Sequence, residues 1–241
     1  MSREKVSKNR VFCRVDYKVK ITGESPLLIN DNSVTKKGLV DWRNQHKKEL
    51  EEHLMKNNLV FDDRVPPFAW YYCFYMPTAD CDEVVVPYYV LEAALRSASK
   101  ILYRKRIVPF DTFKKFYFTM PYYPVLVSGT TLKLNKLYNP NLSYEDQKKL
   151  ASGFGIELFE ANLSFRGGIG VRVRPRIKNW EINFGVSARL NLENDSINTD
   201  DLMVKLFEVA GSQCGICDWR PSSPRKKGVH GVFSAKLTRT V

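Results

Sequence analysis

Residues 180–210 read WEINFGVSARLNLENDSINTDDLMVKLFEVA, and the change of period inside this stretch decides the fold class. From Trp180 to Leu190 apolar and polar residues alternate, the period of a strand with one buried face. Thr199 and Asp200 supply helix-start chemistry, Asp201 to Ala210 is amphipathic at helical spacing, and Gly211 is placed to stop that helix. A basic loop with glycines follows, and Gly231 to Leu237 reads as a last strand. A strand, a helix, a loop and a strand in this order predict an α+β layer with helices packed on an antiparallel sheet.

Working outward, Val11 to Ile21 (VFCRVDYKVKI) is rich in β-branched and aromatic residues and partly alternating, so it predicts a first core strand. Val84 to Val86 predicts a short strand ending at Pro87, and Val90 to Tyr103 predicts a helix with Leu91, Ala94, Leu95, Ala98 and Leu102 on one face. Shorter strands are expected over Pro67–Met76, Tyr122–Val127 and Thr130–Leu137, and a helix from near Ser143. The expected whole is one domain over residues 1–241, a ferredoxin-like (RRM-like) βαββαβ core with an antiparallel sheet. It carries a charged helical insertion at about 36–64, around Trp42, Leu50 and Leu54, and a second insertion at about 104–165.

Lys and Arg number 38 against 26 Asp and Glu, a net charge of +12 that calls for a polyanionic partner, nucleic acid above all. Hydrophobic residues at 44% exclude a disordered basic tail and support a packed core. No apolar run reaches the roughly 20 residues of a membrane span, and Met1 to Arg10 carries no export signal, so a cytoplasmic location without membrane contact is expected. Five cysteines, an odd number, fit reduced thiols. Cys214 and Cys217 have CxxC spacing but no second ligand pair, and they are read as core residues, with no metal and no cofactor expected.

Two segments concentrate cations. Arg166, Arg172, Arg174, Arg176 and Lys178 lie in RGGIGVRVRPRIK (166–178), with no acid from Ala161 to Asn179. Alternation puts Arg172, Arg174 and Arg176 on one face, and forked guanidinium donors match a row of phosphates. Arg220, Arg225, Lys226, Lys227 and His230 lie in CGICDWRPSSPRKKGVH (214–230), whose Ser, Pro and Gly content predicts a mobile loop. Trp180, two residues past the first segment, and Trp219, within the second, are candidate stacking platforms, and Arg104, Lys105 and Arg106 close the Val90–Tyr103 helix. With three histidines and no Walker, HExxH or nucleophile-elbow motif, catalysis has no clear centre, and Asp31 and His230 are the candidates for proton transfer.

Residues 86–96, VPYYVLEAALR, resemble the segment that opens the RNA-facing helix in the RAMP superfamily of CRISPR proteins: Pro87, Leu91 and Arg96 match, while Tyr88, Tyr89 and Ala93 stand where the family has Gly or Ser. Gly228 and Gly231 before the last strand are similar to that family's glycine-rich loop. The segments VRVRPRIKNW (171–180) and CDWRPSSPRKKGVHGVF (217–233) also resemble those of phage-encoded proteins. The resemblance implies a backbone-type subunit that grips guide RNA, with Arg96 and Lys100 facing the RNA, copies associating head to tail, and Asp31 where target-cleaving members place an aspartate. The expected function is therefore a non-catalytic RNA-binding subunit, self-associating or joined to other subunits of a ribonucleoprotein. A RAMP-type endoribonuclease and a phage protein that binds single-stranded DNA or a host protein are the alternatives.

Overall fold

The computed structural model describes residues 11–30, 70, 73–75, 83–109, 111–119, 122–124, 126–127, 130–137, 139, 142–165, 168–192, 197–223 and 227–240. The expected helical insertion at about 36–64 lies outside these residues, as does most of the strand expected over Pro67–Met76; within it, Tyr75 bridges Val85. Among the described residues no helix is long and apolar enough to cross a membrane.

The architecture is α+β with antiparallel sheets. In chain order the elements are β1 (Val11–Gly23), β2 (Leu27–Leu28), β3 (Val85–Pro87), α1 (Tyr88–Arg104), β4 (Phe113–Phe118), β5 (Tyr122–Pro124), β6 (Leu126–Val127) and β7 (Thr130–Thr131). They continue with α2 (Tyr144–Gly153), β8 (Ile156–Phe165), β9 (Gly168–Ile177), β10 (Glu181–Leu192), α3 (Thr199–Val209) and β11 (Phe233–Thr240). Within the expected Thr130–Leu137 strand, Thr130 and Thr131 form β7, Lys133 is extended and bridges Glu83, and Leu134–Lys136 forms a 3-10 turn.

The main sheet runs β11–β1–β10, with β4 against the other edge of β10 and the short β6–β7 pair at its Glu181 end. Every long pairing is antiparallel: β1 with β10 from Val11↔Leu192 to Thr22↔Glu181, β1 with β11 from Asp16↔Thr240 to Gly23↔Phe233, and β4 with β10 from Phe118↔Val186 to Phe113↔Leu190. Because β4 belongs to this sheet, the insertion expected at about 104–165 contains a strand of the main sheet. One face is apolar through strict alternation: Val15, Tyr17, Val19 and Ile21 from β1, and Ile182, Phe184, Val186, Ala188 and Leu190 from β10, are all buried. These side chains share one core with Leu91, Leu95, Ala98 and Leu102 of α1 and Met203, Leu206 and Phe207 of α3. Fully burying a side chain such as Leu or Phe is worth about 1.5–3 kcal/mol, so this face fixes the register of the long strands.

The ends of α3 differ from the sequence expectation. The cap is Asn198, one residue earlier, whose side chain accepts from the backbone N–H of Asp200 and Asp201. Gly211 does not stop the helix, because the chain widens into a π-turn over Ala210–Cys214 and leaves it at Gly215, at φ 65°. Gly211 is required by packing: a Cβ there would lie 1.9 Å from the Phe233 carbonyl oxygen.

A second sheet, β2–β9–β8, holds the arginine-rich strand in its middle. The loop from Gly215 to Val232 closes over it, and its described residues are held at many points. Ile216 N–H bonds Gly231 O at 3.0 Å, Asp218 N–H bonds Leu28 O at 3.0 Å, and Gly231 N–H bonds Pro26 O at 2.9 Å. Gly228 and Gly231 allow this, since a Cβ would lie 1.8 Å from the Trp219 carbonyl oxygen and 2.0 Å from that of Ile216. The mobile loop expected from composition is a hydrogen-bonded clasp over these residues. Glycine and proline content signals unusual backbone geometry, which a tight fold uses as readily as a loose one.

Candidate nucleic-acid interface

The face of the main sheet opposite the core follows from the same alternation. On β1 it carries Phe12, Arg14, Asp16, Lys18, Lys20 and Thr22, on β10 Glu181, Asn183, Ser187 and Arg189, on β4 Lys115 and Tyr117, and on β11 Lys236 and Thr238. Arg14, Lys18, Lys20, Lys115, Arg189 and Lys236 are all exposed, and the carboxylates among them are Asp16 and Glu181. Lys20 meets Glu181 at 2.8 Å, and Arg14 meets Asp16 at 3.3 Å. Lys18, Lys115, Arg189 and Lys236 have no carboxylate partner among the described residues.

Register sharpens the pattern. Arg14 stands directly opposite Arg189, and Arg189 directly opposite Lys115, so three cations form one row across β1, β10 and β4. Strands are spaced roughly 4.8 Å apart, which makes the row roughly 10 Å long. Like charges directly opposite one another destabilise a sheet, and an anion laid over the row turns that repulsion into attraction. In the next row Asp16 stands opposite Ser187, which stands opposite Tyr117. Arg14 donates to the Ser187 hydroxyl at 2.9 Å, and Ser187 donates to Asp16. That hydroxyl bond, with Arg14 beside it, holds the Asp16 carboxyl below the ordinary carboxylate range.

Aromatic rings flank the row. Tyr117 is 41% exposed, with the Lys115 ammonium 4.8 Å and the Arg14 guanidinium 5.9 Å from its centroid. Phe12 is 56% exposed, with the Arg189 guanidinium 5.3 Å from its centroid. These cation–π contacts keep rings and charges together on the open surface.

The residues singled out in the sequence are placed differently. Arg174 is buried, ion-paired with Asp218, and lies 5.2 Å from the Trp219 ring centroid. Arg176 is ion-paired with Glu157 and lies 4.7 Å from the Phe159 centroid, while exposed Lys178 reaches the same Glu157 at 3.4 Å. The acid-free run along the chain is supplied with acids through space, so Arg174 and Arg176 do not form an open phosphate track. Burial pushes the Glu157 carboxyl upward, but Arg176 and Lys178 together hold it below the ordinary range. Arg172 stands opposite Ala161 in the β8–β9 register.

Trp180 is a core residue: it is buried and donates its indole N–H to the Ser25 carbonyl at 2.8 Å, so it is not a stacking platform. Trp219 is half-buried, edge-on to Phe159. Arg220 is tied into the clasp, donating to Cys217 O at 2.7 Å and Ser222 Oγ at 3.2 Å. His230 is 7% exposed, packed against Phe159 and Trp219, and burial followed by the nearby Arg176 lowers its pKa from the usual 6.5. A general acid or base must touch its substrate, and little of this ring is open among the described residues. Cys214 and Cys217 are buried in the core, which raises their thiol pKa values to about 11 and about 12.

On α1, Arg96 pairs with Glu92 at 3.0 Å and lies over the Phe116 ring, while Lys100, Arg104, Lys105 and Arg106 are exposed along the helix and its end. Lys227 is exposed on the clasp. Asp31, Arg166, Arg225 and Lys226 lie outside the described residues. The open-face residues Phe12, Arg14, Lys18, Lys20, Lys115, Tyr117, Arg189 and Lys236 went unselected because they are scattered along the chain. The available signal was the polar half of the β1 alternation, Arg14, Asp16, Lys18 and Lys20.

No family model matches the chain, and no curated protein matches it.

Proposed function

We propose that the protein binds the phosphate backbone of RNA on the open face of its main sheet and does not cleave it. The observation that carries this is the Arg14–Arg189–Lys115 row, a line of exposed like charges in which Arg14 alone has a carboxylate beside it, Asp16, and which a polyanion laid over it would relieve. A net charge of +12 and two further exposed cations on the same face without carboxylate partners among the described residues, Lys18 and Lys236, support the same reading. Supporting a ferredoxin-like βαββαβ core is the order β1–α1–β4–β10–α3–β11 with strands arranged β11–β1–β10–β4. The RAMP resemblance adds α1, with Arg96 and Lys100, as a second basic surface and the expectation of copies aligned along one strand.

The test is binding of labelled RNA across a salt series by wild type and by Arg14→Glu/Lys115→Glu/Arg189→Glu. Wild-type affinity is expected to fall steeply with salt. The triple variant is expected to bind at least 100-fold more weakly at low salt, with a log–log salt slope shallower by about 2, since each phosphate contact to a single strand contributes about 0.7. Equal binding by a folded triple variant would overturn the proposal.

A further inference from the structure

The aromatic pair carries the reading further. Phe12 and Tyr117 are large apolar side chains on solvent-facing positions of β1 and β4, contribute nothing to the core, and are held beside the cation row by Arg189, Lys115 and Arg14. A duplex hides its base faces and presents only phosphates and groove edges to a flat sheet, so exposed rings gain nothing from it. An unpaired base has a free π-face, and stacking on a protein ring is its main sequence-tolerant contact.

The polar partners beside Tyr117 narrow the ligand again. Asp16 lies in the same cross-strand row, with Ser187 between them. A carboxylate is an acceptor only and repels phosphate; Ser187 and Arg14 both meet Asp16 at Oδ1, so Oδ2 is the oxygen that would accept from a ligand hydroxyl or amino group. The group that a ribose offers and a deoxyribose lacks is the 2′-hydroxyl.

We propose, resting on the phosphate-binding reading above, that the face takes single-stranded RNA. Unpaired bases stack on Phe12 and Tyr117, phosphates lie over Arg14, Arg189 and Lys115, and a 2′-hydroxyl donates to Asp16.

The test is fluorescence anisotropy with three probes of one mixed sequence, a single-stranded RNA, the matching single-stranded DNA and the RNA duplex, at low salt. Wild type is expected to prefer the RNA strand to both others. Phe12→Ala and Tyr117→Ala are each expected to weaken RNA-strand binding roughly tenfold, leave duplex binding unchanged and leave Tm unchanged, while Tyr117→Phe keeps wild-type affinity. Asp16→Asn removes a negative charge and raises affinity for both strands, but it is expected to bring RNA and DNA to equal affinity.

Wild-type affinity in the alanine variants, a duplex bound as tightly as the strand, or DNA bound as tightly as RNA would overturn this inference. If the charge-reversed triple variant loses binding while the alanine variants keep it, the phosphate-binding reading stands and this one falls. Failure of wild type to bind any probe at low salt removes both.

Discussion

On β1, Arg14, Lys18 and Lys20 alternate with Val15, Tyr17 and Val19, and on β9 Arg174 and Arg176 alternate with Val173 and Ile177. The local patterns match, yet the β1 cations are exposed, whereas on β9 Arg174 is buried and Arg176 half-buried, each held by a carboxylate. The difference lies in what covers the polar face. Nothing among the described residues packs over the β1–β10–β4 row, while the Gly215–Val232 clasp brings Asp218, Trp219 and His230 down onto β9. Alternation therefore assigns a cation to a face, and the layer above that face decides whether the charge holds the fold together or stays available to a ligand. Arginine serves both ends because its planar fork pairs with a carboxylate, a phosphate or a ring.

The sharpest way to break this contrast is to remove the partner of a buried charge. Asp218→Ala removes the Asp218 carboxylate from Arg174 at a site where the arginine side chain is 5% exposed. Breaking a buried pair from one side costs about 3–5 kcal/mol, so a thermal melt is expected to show Tm lower by roughly 10 °C. An unchanged Tm would mean that the clasp is not what holds β9.

Gly231→Ala tests the clasp through its backbone. Gly231 sits at φ 67°, and a Cβ there would lie 2.0 Å from the Ile216 carbonyl oxygen, so about 2 kcal/mol of destabilisation is expected in denaturant unfolding.

His230 provides a pH reading of the same cover. Its folded pKa lies below the unfolded value near 6.5, so the unfolded chain binds the proton more readily. The stability this gives is complete above about pH 6.5 and is lost as pH falls through the folded value. The lowered carboxylates, Asp16, Asp146, Glu157, Glu160 and Glu181, lose their contributions only below their unfolded range near pH 4. A fall in Tm as pH drops below about 6.5 is therefore expected from His230, and His230→Gln is expected to flatten it.

The smallest effect belongs to the open face. Arg189→Ala removes the middle cation of a like-charged row, so stability is expected to change by no more than about 0.5 kcal/mol, while RNA affinity falls. A large loss of Tm would show that the row is structural after all.

Much of the frame was readable along the chain. The buried faces of β1, α1, β10 and α3 follow from hydrophobic period, and the structure places those elements within a few residues of their expected bounds. The candidate interface was less readable. Runs such as 166–178 stand out by local density, but Glu157 lies on β8 and Asp218 in the clasp, 19 and 42 residues from Arg176 in the chain. Trp180 looked like a platform because it adjoins cations, and its burial comes from a position between Ser25 and Phe233, at opposite ends of the chain.

The sequence by itself determined the strongly basic charge, the helix and strand periods, and which residues of each long strand share a face, because these depend on composition and on geometry repeating every two or 3.6 residues. Tertiary structure alone decided that Arg14, Arg189 and Lys115 form one row, that Phe12 and Tyr117 flank it, and that Arg174 and Arg176 are spent on Asp218 and Glu157. The physical reason is that strand register and the closure of the clasp are set by burial of the shared core, and only then are charges from distant segments brought within the few ångströms at which they pair or repel.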